Sequence, residues 1–117
     1  MQNHKDLIVW QRSMELVVGL YELTGLYPSS ELYGLVSQSR RCGVSIPSNI
    51  AEGKRRGYEN EFRRFLLIAY GSGAELETQI EIAKRLKFGS GLNFSKVDKL
   101  LTEVMKMLNK MINNIKA

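Results

Sequence analysis

The chain of 117 residues contains one cysteine and one histidine, which is too few for most metal and nucleophile chemistry. Cys42 cannot form a disulfide within the chain, and its small-residue surroundings predict a buried, unreactive side chain. His4 lies in the N-terminal tail, where we expect a solvated side chain. Zinc sites, di-iron sites and Ser-His-Asp or Cys-His arrangements need more such ligands. We therefore predict no metal, no cofactor and no catalytic residues, and a protein that is not an enzyme.

Long hydrophobic runs are also missing. No stretch of about 18 apolar residues could cross a membrane, and residues 1–6 do not form an apolar leader segment. We therefore expect a cytoplasmic protein with no membrane partner. The composition, 44% hydrophobic and 25% charged, is that of a globular protein, and the length predicts one domain over residues 1–117.

No segment alternates long enough to predict a strand, whereas apolar residues recur at helical spacing in four segments. In the first predicted helix, Asp6 is a plausible N-cap. This helix carries two apolar sets: Leu7, Trp10, Met14, Val17 and Tyr21 in one, and Val9, Leu16, Leu20, Leu23 and Tyr27 in the other. Together they cover nearly half of its circumference, so the helix has more than one face to bury.

Proline is scarce, and Pro47 falls inside the second predicted helix, which runs from near Ser30 to about Lys54. A proline in a helix removes one backbone donor and presses its ring against the carbonyl four residues earlier. That earlier residue is Gly43, which leaves the backbone room to tilt. We predict a continuous, kinked helix; the alternative is two helices broken at Pro47.

The third predicted helix runs from about Glu59 to Phe88, after a turn at Gly57. Gly71 and Gly73 cost this helix roughly 1 kcal/mol each relative to alanine. Close packing against the second helix is the expected compensation.

The fourth predicted helix follows Gly89-Ser90-Gly91, and Ser95 with Asp98 imitates a capping box at its start. Four helices with short connections predict an all-α fold, an antiparallel up-and-down four-helix bundle.

Polar side chains form a stripe along the second and third helices. They are Gln38, Arg41, Ser45, Asn49, Glu52, Glu75 and Gln79. If the two helices run antiparallel about Gly57, Arg41 comes within reach of Glu75. We predict a structural polar network that fixes helix register, with a catalytic carboxylate pair as the alternative.

Positive charge is in excess, with a net charge of +5. In an up-and-down bundle, one end holds the N-terminus, the turn between the second and third helices and the C-terminus. The whole excess of positive charge falls at this end. The predicted nucleic-acid-binding residues at this end are Arg12, Lys54, Arg55, Arg56, Arg63 and Arg64. Arginine's planar fork suits phosphate oxygens. The alternative is a solvated helix end whose charges aid solubility.

Several motifs occur in a specific order along the chain. They are Asp6-Leu7-Ile8-Val9-Trp10-Gln11, Tyr33-Gly34-Leu35, Ser45-Ile46-Pro47-Ser48-Asn49-Ile50-Ala51-Glu52-Gly53, and the stretch from Phe65 to Gln79. Together they resemble the 23S rRNA intervening-sequence proteins, a family of small bacterial four-helix bundles. The resemblance covers nearly the whole chain. It implies an antiparallel four-helix bundle that assembles into a ring, typically a homopentamer.

The accessory proteins of diversity-generating retroelements look similar in fold and assembly, and they are linked to nucleic-acid binding. The resemblance carries no catalytic residues over to this chain. The expected function is therefore a non-enzymatic RNA or DNA binding module in which a ring multiplies weak contacts. The alternative is an oligomeric scaffold that docks an unidentified protein, with incidental basic charge.

Overall fold

The computed structural model describes residues 3–88 and 91–115. These ranges contain four α-helices and no strand: α1 (Ile8–Thr24), α2 (Ser37–Arg55), α3 (Glu59–Leu86) and α4 (Ser95–Asn114). The predicted all-α fold class is therefore confirmed.

The four helices form an elongated antiparallel bundle of 46 × 20 × 20 Å. α1 packs against α2 and α4, and α3 packs against the same two helices, so α1 and α3 occupy opposite corners. Near one end, Lys84 Nζ of α3 lies 2.7 Å from Asp98 Oδ2 of α4. Near the other end, Arg63 Nε donates to the carbonyl oxygen of Ile112 at 3.2 Å. The two contacts join the end of one helix to the start of the other, as antiparallel packing requires.

One of the two apolar sets predicted on α1 faces the core of the bundle along its length, and its members Val9 and Leu20 are buried. The other set reaches the core only near its start, where Trp10 packs against it. In the other set, Met14 and Tyr21 are 40% and 43% exposed. Because α1 sits at a corner and touches only two neighbouring helices, the bundle covers one side of its wide apolar arc and leaves the other side open.

The start of α1 differs from the prediction. Residues His4–Asp6 form a 3-10 turn that is capped by Asn3, whose Oδ1 accepts from the Lys5 amide at 3.1 Å. Asp6 therefore lies within that turn, and Leu7 is the N-cap of α1 without a capping side chain.

α2 begins later than predicted but passes through its proline. The 3-10 turn Ser29–Glu31 and the π-helical turn Leu32–Val36 precede it, and Gly34 has non-helical angles of φ −113° and ψ −108°. The regular helix starts at Ser37. Pro47 lies inside the continuous helix, so the prediction of one unbroken helix at Pro47 is confirmed.

The glycines of α3 are explained differently from the prediction. A Cβ atom on Gly73 would collide with the side chain of Met105, so this glycine makes room for α4 rather than α2. A Cβ atom on Gly71 would have no heavy atom within 4 Å among the described residues. Packing within the chain therefore compensates the cost of Gly73 but not that of Gly71.

The connection between α3 and α4 lies partly outside the described residues, as do Gly89 and Ser90 of the predicted stop. α3 ends at Leu86, and Lys87 takes a left-handed conformation with a φ of 53°. Phe94, rather than Ser95, is the N-cap of α4, and Asn93 Oδ1 accepts from the Ser95 amide at 2.9 Å.

Candidate nucleic-acid interface

The turn between α2 and α3 brings five of the six predicted binding cations to one end of the bundle. α2 ends at Arg55, and Gly57 then takes a left-handed conformation with a φ of 82°, which a side chain would strain. Tyr58 is extended, and α3 starts at Glu59. This short reversal places the last turn of α2 beside the first turns of α3.

Phe65 lies beneath two of the guanidinium groups at this turn. The guanidinium carbon of Arg64 is 4.5 Å from the centre of the Phe65 ring, and that of Arg56 is 5.1 Å away. The ring itself is only 6% exposed. A guanidinium plane over an aromatic face is attracted to the ring quadrupole, so Phe65 holds both cations at the surface of the turn.

Glu61 forms ion pairs with the same two arginines. Its carboxylate accepts from Arg64 Nε at 2.8 Å and lies 3.7 Å from Arg56 Nη1. Glu52 contributes a second carboxylate to Arg56 at 2.9 Å. The hydrogen bond from Arg64 lowers the pKa of Glu61, and the charges of Arg64 and Arg56 lower it further. Arg56 and Arg64 are thus already paired with carboxylates.

Arg63 and Lys54 contribute mainly to the structure of this end. Arg63 Nε donates to the carbonyl oxygen of Ile112, in the last turn of α4, where carbonyl groups lack partners within the helix. Lys54 is half-buried, and its Nζ lies 5.4 Å from the centre of the Phe62 ring. Both cations therefore stabilise the closed end of the bundle.

Arg55 is the cation of the turn that is most open to a ligand. Its side chain is exposed, and no carboxylate oxygen in the described ranges lies within 4.0 Å of it. Tyr58, three positions further along the chain, is 70% exposed. An exposed guanidinium thus lies close in sequence to an exposed aromatic ring.

Arg12 lies apart from the other predicted binding residues. It pairs with Glu15 at 2.9 Å and approaches Glu103 of α4 at 3.6 Å. Glu103 is separated from Ile112, the contact of Arg63, by about 13 Å along α4 at ~1.5 Å per residue. The structure therefore brings together Lys54, Arg55, Arg56, Arg63 and Arg64, and it places Arg12 in the groove between α1 and α4.

The predicted polar network joins α2 to α3 through hydroxyl groups. The Ser45 and Ser72 hydroxyl oxygens are 2.9 Å apart, and Asn49 Nδ2 donates to Ser45 Oγ at 2.9 Å. The Ser45–Ser72 contact crosses the seam between the two helices, whereas the Asn49–Ser45 contact lies within α2 and positions the Ser45 hydroxyl. The contact across the seam suits the structural interpretation of the stripe, because it fixes the register of one helix against the other.

A second part of the network surrounds Cys42. Its thiol donates to Glu75 Oε2 and accepts from Gln79 Nε2, both at 3.5 Å. Desolvation by burial raises the pKa of Cys42, which disfavours the reactive thiolate. Arg41 and Gln38 are exposed, and Arg41 has no carboxylate within 4.0 Å in the part of the chain that the structure describes. The expected contact between Arg41 and Glu75 is thus replaced by the thiol of Cys42.

The prediction of the binding residues from the sequence overlooked the partners of the arginines. Glu61 and Arg64 are three residues apart, a spacing that allows an ion pair on one helix face, so their pairing could have been found from the sequence. The sequence identifies Phe65 as part of a family motif but predicts no role for it in the binding site. Its position under two guanidinium groups depends on the turn and could not be found from spacing alone.

Neither a metal site nor a membrane span is present in the described residues. No group of three or more histidine, cysteine, aspartate or glutamate side chains in these ranges could hold a metal ion. None of the helices there is both long and apolar enough to cross a bilayer.

Comparison with known proteins identifies the family of the chain. No curated protein matches it. A family model described as 23S rRNA-intervening sequence protein matches residues 5–110. This range contains α1, α2 and α3 in full and most of α4, together with all of the motifs that carry the resemblance. The chain therefore belongs to the family of 23S rRNA-intervening sequence proteins.

Proposed function

We propose that the protein is a non-enzymatic, cytoplasmic nucleic-acid-binding module that contacts phosphate groups at the turn between α2 and α3 and acts as a homo-oligomeric ring. The observation that carries this proposal is the exposed Arg55 guanidinium, which has no carboxylate partner in the described ranges and lies beside the arginines stacked on Phe65. The family description names a ribosomal RNA, so RNA is the first ligand to test.

The arginines at the turn are arranged for binding anions. Arg55 offers a free fork of donors, which can bind phosphate oxygens in a bidentate manner. Arg56 and Arg64 are oriented by Phe65, so less side-chain entropy is lost when they bind. Glu61 competes with a phosphate for these two cations, which makes each individual site weak.

A ring compensates for weak individual sites. Several copies that present the same turn to one nucleic acid convert later binding steps into intramolecular ones, and avidity then exceeds the affinity of one site. The pentameric state and the relation to accessory proteins of diversity-generating retroelements remain predictions. Light scattering tests the first, and the neighbouring genes test the second.

The proposal is tested by measuring binding to single-stranded and duplex RNA and DNA across a salt series. Phosphate contacts predict that log K falls linearly with log salt. Replacing two contacting cations in Arg55→Gln/Arg56→Gln should flatten that slope by about 1.4 for a single strand and about 1.8 for a duplex for each copy that contacts the nucleic acid, if each cation contributes one phosphate contact.

The matched control removes the same charge elsewhere. Lys87 and Lys106 are exposed and lie outside the turn. Lys87→Gln/Lys106→Gln should therefore keep the wild-type slope. Equal slopes for the two double variants would show that only net charge matters, and this outcome would overturn the assignment of the turn.

The scaffold remains the second candidate function. It is favoured by the carboxylates that already pair with Arg12, Arg56 and Arg64, and by apolar residues exposed on α1 and α3. Undetectable binding of every nucleic acid at low salt, by a protein that is still oligomeric, would establish the scaffold as the better explanation.

A further inference from the structure

The outward side of α1 is an apolar surface, here called the α1 face, formed by Met14, Val18 and Tyr21. These side chains are 40%, 59% and 43% exposed. They recur every three or four residues, so they lie on one side of the helix. Trp10 and Val17 are half-buried beside them. Surfaces of this kind on a soluble protein commonly mark a contact with another molecule.

The outward side of α3 is a second apolar surface, the α3 face, formed by Leu67, Ile68, Gly71 and Ile82. The three large side chains are 44%, 41% and 42% exposed. Residues 65–74 contain no charged side chain. Gly71 lies within this surface, and a Cβ atom there would meet no heavy atom within 4 Å in the described ranges, although glycine costs a helix about 1 kcal/mol relative to alanine. Packing within the chain does not require a glycine there, whereas a closely docked helix would.

The outward sides of α2 and α4 are different. α4 has no exposed large hydrophobic residue along its whole length, all of which the structure describes, and it presents Lys99, Lys106 and Lys110 to solvent. α2 presents Arg41 and Arg55 there, and Val44 is its single exposed large hydrophobic residue, at 40%, in a helix that the structure describes in full. The more apolar surfaces thus lie on α1 and α3, at opposite corners of the bundle.

The side chains that flank the two faces have complementary charges. On its α2 side the α1 face is bordered by Arg40, whose guanidinium carbon lies 4.3 Å from the Tyr21 ring centre, and by Arg41. On its α4 side the groove contains Lys96 and Lys99, although Arg12, Glu15 and Glu103 also line it.

The α3 face is flanked mainly by carboxylates. Glu75 lies on its α2 side, where it accepts from the Cys42 thiol. Glu77 and Glu81 line grooves beside α3, and Glu81 also pairs with Arg85 at 3.1 Å. Two copies placed with α1 against α3 therefore bring arginine toward Glu75 on one side and lysine toward Glu77 on the other.

The two faces also lie at the same height along the bundle. Leu20 of α1 packs at Gly43 of α2, and Ser45, half a turn further along α2, meets Ser72 of α3. The α1 face, which ends at Tyr21, is therefore level with the part of α3 around Gly71. Copies standing side by side with parallel axes bring the two faces together without a shift.

We infer that the α1 face of one copy docks against the α3 face of the next copy, which names the contact surfaces of the ring proposed above and rests on that proposal. Because the two surfaces differ, the contact is heterologous, and it closes into a ring when the rotation between copies divides a full turn. Gly71 lets the neighbouring α1 approach closely, as small residues do between helices. The partner of both surfaces is a second copy of this chain.

Two variants that each disable one face test this inference. Val18→Glu places a charge in the α1 face, and Gly71→Leu fills the space in the α3 face. Light scattering should find each variant alone at the monomer mass of 13.3 kDa, with unchanged circular dichroism. Mixed in equal amounts, they should form a species of about twice that mass and nothing larger, because each retains one intact face of the opposite kind.

The control variant Lys106→Leu, on the outward side of α4, should keep the wild-type mass. A monomeric wild-type protein would overturn the inference, as would a Gly71→Leu protein of wild-type mass or a mixture that stays monomeric. Binding of RNA by the Val18→Glu monomer at low salt tests the turn separately. An assembled protein that binds no nucleic acid would refute the proposed binding function and leave the contact surfaces standing.

Discussion

Leu20 of α1 occupies the space that a side chain on Gly43 of α2 would need. A Cβ atom on Gly43 would lie 2.6 Å from Leu20 Cδ2, closer than real Cβ contacts allow. Leu20 is completely buried, so it has no free space into which to move. This pair sets the distance between α1 and α2 in the middle of the bundle.

Gly43→Ala should therefore lower the free energy of unfolding by about 1–3 kcal/mol, the usual range for an overpacked core. A loss of stability is informative, because alanine is a better helix former than glycine. At a helix position with free space around it, the same substitution would stabilise the protein. Urea denaturation measures the effect. Ser48→Ala, at an exposed position of the same helix, is the control and should stay within about 0.5 kcal/mol of wild type. An unchanged stability of Gly43→Ala would contradict the close contact.

Arg64→Gln should raise the pKa of Glu61 toward its ordinary value, because the largest cause of the lowered pKa is the hydrogen bond from Arg64. A carboxylate with a lowered folded-state pKa contributes stability above its unfolded pKa and loses it as pH falls through the folded pKa. NMR titration of the Glu61 carboxyl carbon measures the shift. Arg85→Gln, which removes a cation from the other end of α3, should leave this pKa unchanged.

Glu61→Gln should strengthen nucleic-acid binding at the turn and steepen its salt dependence. The substitution removes the carboxylate that lies 2.8 Å from Arg64 and 3.7 Å from Arg56, so the Arg64 guanidinium becomes available to phosphates and Arg56 keeps only its ion pair with Glu52. Fluorescence anisotropy with a labelled single-stranded RNA measures the change. Glu81→Gln removes the same charge near the opposite end, and a gain of equal size there would argue against a local effect.

Tyr27→Phe should leave the protein equally stable near pH 8 or raise the free energy of unfolding by up to about 1 kcal/mol. The Tyr27 hydroxyl is buried without a hydrogen-bond partner in the described ranges, and the ring packs 5.1 Å from that of Phe88. Removing the hydroxyl thus removes an unsatisfied group and keeps the packing. Urea denaturation provides the measurement, and a loss of stability would point to a partner for the hydroxyl.

The same residue predicts a pH effect at alkaline pH. Burial, with a smaller contribution from the charge of Asp98, raises the pKa of Tyr27 to about 12, above its ordinary value of 10.0. The stability gained by keeping the hydroxyl protonated is complete below about pH 10 and is lost as pH rises toward 12. Tyr27→Phe has no hydroxyl at this position to ionise. Between about pH 10 and pH 12 the free energy of unfolding should therefore fall more for the wild type than for Tyr27→Phe.

Cys42 should react slowly with alkylating reagents in the folded protein. Its pKa is raised first by desolvation, and its thiol is held between Glu75 and Gln79. Because the thiolate is the nucleophile, alkylation by iodoacetamide near pH 8 should be at least about tenfold slower than in urea. Mass spectrometry follows the reaction, and equal rates in both states would show that Cys42 is open and ionised.

Much of the bundle could be predicted because helical spacing is a local property of the chain. Leu16 and Leu20 belong to an apolar set that helical spacing predicts on the first helix, and both are completely buried. The ends of the helices were harder to predict. Asp6 and Ser95 have the chemistry of caps, yet Leu7 and Phe94 occupy the capping positions, because Asp6 belongs to the preceding 3-10 turn and Ser95 is already the first residue of α4.

Part of the candidate site could be predicted, because the position of a charged residue along a helix is also a local property of the chain. The sequence places Lys54, Arg55 and Arg56 at a helix end, and antiparallel packing brings Arg63 and Arg64 beside them. Their different surroundings depend on contacts across the turn and between helices, as for Arg63 at the carbonyl oxygen of Ile112. Spacing along one helix carries no information about such contacts.

The sequence by itself determined that the chain forms four main helices and that Lys54, Arg55 and Arg56 stand at the end of one of them, because helical period and charge position are read directly from residue order. Only the tertiary structure decided which arginines are paired and which is open. It also decided which half of the α1 arc is core, and that Gly73 accommodates Met105 while a Cβ atom on Gly71 would meet no heavy atom within 4 Å among the residues that the structure describes. These properties depend on distances between residues far apart in the chain, which are defined only once the helices have packed.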